Sequence, residues 1–315
     1  MKILITGSSG MVGMALAPCL EAAGHTVVRL RRPPARSGAG NLLWDPRAGA
    51  LPAAALEGCQ AVIHLAGENL ATGRWTSAKK KRIRESRVGA TDLLCRTLAS
   101  LSEPAQVLVS ASAVGYYGDR GDERLTESSP AGDDFLARVC SDWETATRPA
   151  SARGIRVVRL RFGAILSPAG GALRKMLLPF RLGLGGRLGD GCQYMSWIAM
   201  DDALRVIVRA VSDGGIEGPL NAVAPHPVTN RAFTRELARA LSRPAVLPLP
   251  APLARLAFGE LADAVLLSST RAVPERLQEL NFSFRFPELP AALVHLLARG
   301  NRPVRRPPQG NGPAC

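Results

Sequence analysis

Lysine is scarce in this 315-residue chain, occurring only at Lys2, Lys79, Lys80, Lys81 and Lys175, although Lys and Arg together number 40. The net charge of +14 is therefore carried almost wholly by arginine. Aromatic residues are also few, at 5%. A basic chain without interleaved aromatics or a recognition motif lacks the stacking platforms of nucleic-acid modules. No nucleic-acid partner is expected, and an anionic small molecule is the expected ligand. No apolar run approaches the ~20 residues of a membrane helix, so no membrane association is expected. The six cysteines (Cys19, Cys59, Cys95, Cys140, Cys192 and Cys315) form no CxxC pair and show no metal-ligand spacing. Scattered thiols suit a reducing cytoplasm, the expected location, and no metal is expected. A strand pattern begins at Lys2, too early and too short for a targeting segment.

What is present is a core-forming chain, 46% hydrophobic, in which strand and helix patterns alternate from the start. Lys2–Thr6, Thr26–Leu30, Ala61–Leu65, Gln106–Ser110 and Ile155–Arg161 read as strands, with a weaker one at Leu42–Trp44. Met11–Ala23, Thr76–Leu101 and Asp133–Arg153 read as helices between them, Gly24 ending the first and Thr76 capping the second. Such alternation predicts an α/β fold, a doubly wound parallel sheet of the NAD(P)-binding Rossmann type, with a smaller, mainly helical C-terminal lobe. Residues 1–225 are assigned to the dinucleotide domain, with a substrate-side insertion at about 166–196. Residues 226–300 form the lobe, and the Arg-Pro tail 301–315 is expected to be disordered.

The first strand runs into Gly7, Ser8, Ser9, Gly10, Met11, Val12 and Gly13, and then into an apolar helix. A tight glycine turn lets backbone N–H groups approach phosphates, and the helix N-terminus adds its positive end. Gly13 is expected to let the helix sit close to the strand. Where an NAD site expects an acid at the end of the second strand, this chain has Arg31 and Arg32. Guanidinium groups can pair with a 2′-phosphate that an acid would repel, so NADP is expected over NAD. His64, Leu65, Ala66 and Gly67 close the next strand and are assigned to the cofactor crevice, His64 also reading as a core histidine. Ser110 is placed beside the cofactor. Ser112, Tyr116 and Tyr117 follow the next strand at the expected nicotinamide end and are the candidate catalytic groups.

With Thr6–Gly13, His64–Gly67 and the serine-rich loop ending at Tyr117-Gly118, the chain resembles extended short-chain dehydrogenases/reductases of the NAD-dependent epimerase/dehydratase family. It is most similar to the sugar-nucleotide-epimerase-like group that carries a C-terminal domain of unknown function. The matching residues include Arg74-Trp75-Thr76, Pro179–Gly186, Ser196–Ile198 and Asn221–Pro225. The resemblance implies a lobe closing over substrate, and it makes Arg87 a cofactor contact. It also exposes a departure. Family members carry Tyr-x-x-x-Lys on the helix after the serine loop, whereas Leu136 and Cys140 stand at those positions here. Either Tyr116 or Tyr117 supplies the proton with help from Arg161 or Arg138, or NADP is bound without turnover. On the substrate side, Lys175, Arg181 and Arg187 are candidates to grip an anionic, hydroxyl- or carbonyl-bearing substrate such as a nucleotide sugar. Trp197 is assigned to the same pocket, packing beneath it.

Overall fold

In the computed structural model, residues 1–33, 38 and 40–300 are described. The tail 301–315 and most of the Pro/Gly-rich loop at 33–40 lie outside the described residues. Seven parallel strands form one sheet: β1 (Lys2–Thr6), β2 (Thr26–Arg31), β3 (Asn41–Leu43), β4 (Ala61–His64), β5 (Val107–Ala113), β6 (Arg156–Phe162) and β7 (Gly218–Ala222). Their order is β7-β6-β5-β4-β1-β2-β3. The expected doubly wound sheet is thus present, with one strand more than the sequence suggested. β7 reads Gly-Pro-Leu-Asn-Ala, which lacks a strand pattern, and its proline is tolerated because the strand lies at the sheet edge.

The inner strands are apolar on both faces because helices cover both. Ile3 and Ile5 of β1 point toward α1 (Met11–Ala22) and the helix Met200–Ser212, joining Leu16, Leu20, Val206 and Ile207 in one core. Leu4, between them, points the other way, into a second core with Leu94 and Leu98. Those leucines belong to α3 (Ala90–Ser100), which follows α2 (Ser77–Arg84) and an intervening π-helical turn, Glu85–Gly89. Thr76 caps α2 as expected, accepting from Lys79 N at 3.2 Å. The expected helix at 133–153 is divided into α4 (Phe135–Thr145) and a short helix Arg148–Ala152 with Pro149 in its first turn.

A third core gathers Leu173, Phe180, Trp197, Phe233, Leu237 and Leu293. The strand Trp197–Ala199 pairs with Ala164–Leu166 in a separate two-stranded sheet. Asp202 locks the last part of the chain in place. Fully buried in the first turn of Met200–Ser212, its carboxylate accepts from Arg285 N and Phe286 N, both at 2.8 Å.

Candidate functional site

β1 and β4 are neighbours whose connections run to opposite wings of the sheet, and such a switch point opens a crevice at the strand C-termini. The turn after β1 occupies it. Gly7 has φ +69°, and a Cβ there would stand 2.6 Å from the Leu65 carbonyl carbon and oxygen. A Cβ at Gly13 would meet Gly7 O at 2.5 Å and Ser8 Cα at 2.6 Å. Gly13 thus allows α1 to rest on the turn itself. Gly10 is the N-cap of α1, and neither a side-chain cap nor an acidic residue occupies the first turn. An uncapped N-terminus that backbone can approach closely suits a phosphate group. Ser8 is buried and Ser9 exposed, Val12 packs on the core, and Met11 lies against Gly170 and Gly171 of the substrate-side loop.

Beyond the turn, a cavity of about 490 Å³ is lined by Arg32, Trp44, Arg47, Gly67 and Arg82 among others. Arg32 borders it. Arg31, exposed and one step earlier on an alternating strand, is not among its lining residues. Arg47 and Arg82 were not singled out by the sequence. Their convergence with Arg32 depends on how β3 and α2 pack.

Leu65 and Ala66 are half-buried and Gly67 is exposed along the crevice. Arg87, in the π-helical turn, lies flat against Gly67, whose Cβ would be 3.4 Å from the guanidinium carbon. It donates to Glu68 O at 3.1 Å and to Ile83 O at 3.3 Å, with its charge over Trp143. Burial lowers its pKa, while the neighbouring Cys140 and Glu68 act to raise it. A buried lysine unnoticed in the sequence fixes the following loop. Lys79 Nζ donates to Glu68 Oε1 and Asn69 O at 2.7 Å and to Thr72 Oγ1 at 3.0 Å. That hydrogen bond, foremost among several causes, holds the Glu68 carboxyl below its ordinary range.

Several residues assigned to the crevice turn inward. His64 is fully buried, contacting Thr6 Oγ1 at 2.7 Å and Thr91 Oγ1 at 2.9 Å. Only its backbone can serve a ligand. Burial lowers its imidazole pKa to about 4. Ser110 is buried, its hydroxyl donating to Ala111 O. Ser112 is 4% exposed and donates to Glu144 Oε1 at 2.7 Å. Arg161 holds both Glu144 oxygens at 2.8 Å and donates to Tyr117 OH at 3.0 Å, and Tyr117 OH donates to Asn221 Oδ1 at 2.7 Å. Tyr117 is fully buried, and burial pushes its phenol up to about 12 despite the opposing pull of Arg161. Neither hydroxyl is presented at the crevice surface. Tyr116 is half-buried, its ring stacked on the Arg161 guanidinium at 3.5 Å. Arg138 is turned aside, donating to Asp133 O.

At the positions of the family's tyrosine and lysine, Leu136 and Cys140 pack beside Gly115, whose Cβ would stand 3.7 Å from Leu136 Cβ and 4.0 Å from Cys140 Sγ. Burial pushes the Cys140 thiol up to about 12, with Arg87 acting in the opposite sense. The positive charge beside position 140 therefore comes from Arg87.

The substrate candidates separate in space. Lys175 Nζ reaches the loop after β4, donating to Ala71 O at 2.8 Å. Arg181 borders a different cavity beside Arg243 and Val294. Arg187 borders a third, with Arg231, Arg235, Arg239 and Arg243. Neither cavity includes residues of the glycine turn. Trp197 is fully buried in the third core, with its indole N–H donating to His226 O at 3.0 Å. No group of His, Cys, Asp and Glu able to hold a metal ion occurs among the described residues.

A doubly wound parallel sheet with a glycine turn at its switch point, joined to the third core around Trp197 and Phe233, defines a Rossmann-type protein with an added lobe. More narrowly, the chain belongs to the NAD-dependent epimerase/dehydratase family, whose model matches residues 3–222. Residues 249–296 match a domain of unknown function, DUF1731. An epimerase family protein of Mycobacterium bovis is 45% identical over 298 residues, covering 94% of this chain and 98% of the relative. The crystal structure of the human epimerase family protein SDR39U1 (isoform 2) with NADPH is 35% identical with a TM-score of 0.87, covering 95% of this chain and 99% of that one. A nucleoside-diphosphate sugar epimerase from Corynebacterium glutamicum is 39% identical with a TM-score of 0.80, covering 95% of this chain and 58% of that one. No helix among the described residues is long and apolar enough to cross a membrane.

Proposed function

We propose that this chain binds NADP(H) in the crevice between β1 and β4. The observation that carries this reading is the glycine turn, where a Cβ at Gly7 or Gly13 would strike neighbouring backbone, so that only glycine lets β1, the turn and the uncapped N-terminus of α1 pack this closely at the switch point. The residues fit the cofactor: the amides of Gly7–Gly13 toward the pyrophosphate, Leu65–Gly67 beside the ribose, and Arg32 with Arg47 and Arg82 toward the 2′-phosphate. The human relative crystallised with NADPH supports the same cofactor. When bound, the nicotinamide gives or accepts a hydride.

We assign to that hydride an oxidoreductase or epimerase reaction on a small anionic hydroxyl or carbonyl compound, a class that includes nucleotide sugars. The contact of Lys175 with Ala71 supports it, because it draws the helix Gly171–Arg181 to the loop bordering the crevice. Ser112 and Tyr117, whose hydroxyls are engaged in a buried network, are given a supporting role in this reading rather than that of proton donor. A second reading, cofactor occupancy without turnover, is favoured by that network together with Leu136 and Cys140.

Calorimetric titration tests the cofactor reading. NADPH should bind more tightly than NADH, and Arg32→Gln should weaken NADPH about tenfold while leaving NADH unchanged, as expected for one lost charge-assisted pair. Equal affinities for the two cofactors in the unmodified protein would overturn it. Net oxidation of NADPH by small anionic carbonyl compounds, or conversion of a nucleotide sugar to its epimer by the NADP+-loaded chain, supports the reaction; neither change across those panels supports occupancy alone.

A further inference from the structure

On the sheet face that carries α4, strand alternation points Arg159 and Arg161 of β6 the same way. Between them, α4 and Pro219 of the edge strand lies a cavity of about 240 Å³. Its base is built from buried groups: Arg161 is 3% exposed and Glu144 8%. Tyr116, Ser141, Thr145 and Arg148 complete the lining. The Arg161–Glu144 pair is internally neutral, so Arg148 and Arg159 leave two positive charges. Among the described residues neither makes an ion pair, and the buried Nε of Arg159 has no hydrogen-bond partner. A buried guanidinium N–H without an acceptor is costly and uncommon. The hydroxyls of Ser141, Thr145 and Tyr116 add further groups able to donate.

From this cavity we infer a second ligand site, separate from the dinucleotide crevice, that takes a small phosphate-type oxyanion. Planar guanidinium forks and hydroxyls match the oxygens of a tetrahedral anion. At ~30 Å³ per water, the space admits a phosphate-sized ion with a few waters and is too small for a dinucleotide. β6 and β7 are at the opposite end of the sheet from the Arg32 cavity, so the two anion sites do not share residues. The base also touches the functional end of the molecule. Glu144 receives Ser112, and Arg161 supports both tyrosines, so an anion here rests against the groups that hold the turn Val114–Tyr117. The inference stands on these contacts and does not rest on the cofactor reading.

Inorganic phosphate is titrated calorimetrically into the full chain at constant ionic strength, with chloride as the control and glycerol phosphate as a second probe. A saturable phosphate-over-chloride component is expected that is weakened about tenfold by Arg148→Gln and by Arg159→Gln and that persists in Arg32→Gln, which removes only binding at the Arg32 cavity. Arg148 is exposed, so its variant reads the site without a burden on folding. Tighter binding of glycerol phosphate would assign the site to phosphate esters, and the reverse order to the free ion. The inference fails if phosphate is no better than chloride, if both pocket variants bind like the unmodified chain, or if Arg32→Gln is the variant that removes that component.

Discussion

His64 shows at the residue scale how a polar side chain can sit at a strand end and still belong to the core. Two threonine hydroxyls take both of its ring nitrogens, and burial holds its pKa near 4 against an ordinary 6.5. Between those values the unfolded chain binds more protons than the folded one. The stability from keeping the imidazole neutral is therefore complete above about pH 6.5 and is lost as pH falls toward 4, by about 3 kcal/mol in all. Thermal melts across that window should show this slope, and His64→Gln should flatten it. An unchanged slope in the variant would place the titration elsewhere. The glycines were readable from sequence because each answers a local demand, a positive φ or a close approach. The direction of Ser112 was not, because a strand end gives the position of a hydroxyl but not the side it faces when the covering helix supplies a carboxylate.

Among the elements, the long helical stretch after β4 was legible from its cap and apolar spacing. Its π-helical turn at Glu85–Gly89 was not, although that turn is what sets Arg87 against Gly67. An extra residue in one helical turn is selected by what the helix packs on, and such insertions are frequent at functional sites. The helix Met200–Ser212 gives a comparable case. Acids in its first turn suit the helix dipole, which the sequence shows. The burial of Asp202 and its two bonds to the 285–286 backbone come only with the fold. Asp202→Ala should destabilise the protein by about 2–4 kcal/mol, because two buried amides lose charged acceptors. Asp202→Asn should recover part of that loss. Denaturant midpoints measure both, and an alanine variant within 0.5 kcal/mol of the original, inside the ordinary range for surface changes, would refute the role.

For the whole molecule, binding at the switch point joins the two wings of the sheet, so a ligand held there should stabilise the global fold. NADPH at a hundredfold excess over its Kd should add about 2.7 kcal/mol and raise the melting temperature by several degrees. Gly13→Val should abolish the rise, since its side chain would enter the Gly7–Ser8 backbone. A variant that melts cooperatively and still shows the full rise would move the binding site away from the turn.

The sequence by itself determined the doubly wound fold, the glycine turn and the absence of the Tyr-x-x-x-Lys pair. Each is written in consecutive residues as periodicity, backbone freedom or a missing functional group. Tertiary structure decided which polar groups meet. Ser112 finds Glu144 at a separation of 32 residues and Tyr117 finds Asn221 at 104, while Arg148 and Arg159 converge beside an edge strand that carries no strand signature. Such encounters depend on strand order, register and the placement of α4, because burial makes each polar group take whichever partner the packing brings within reach.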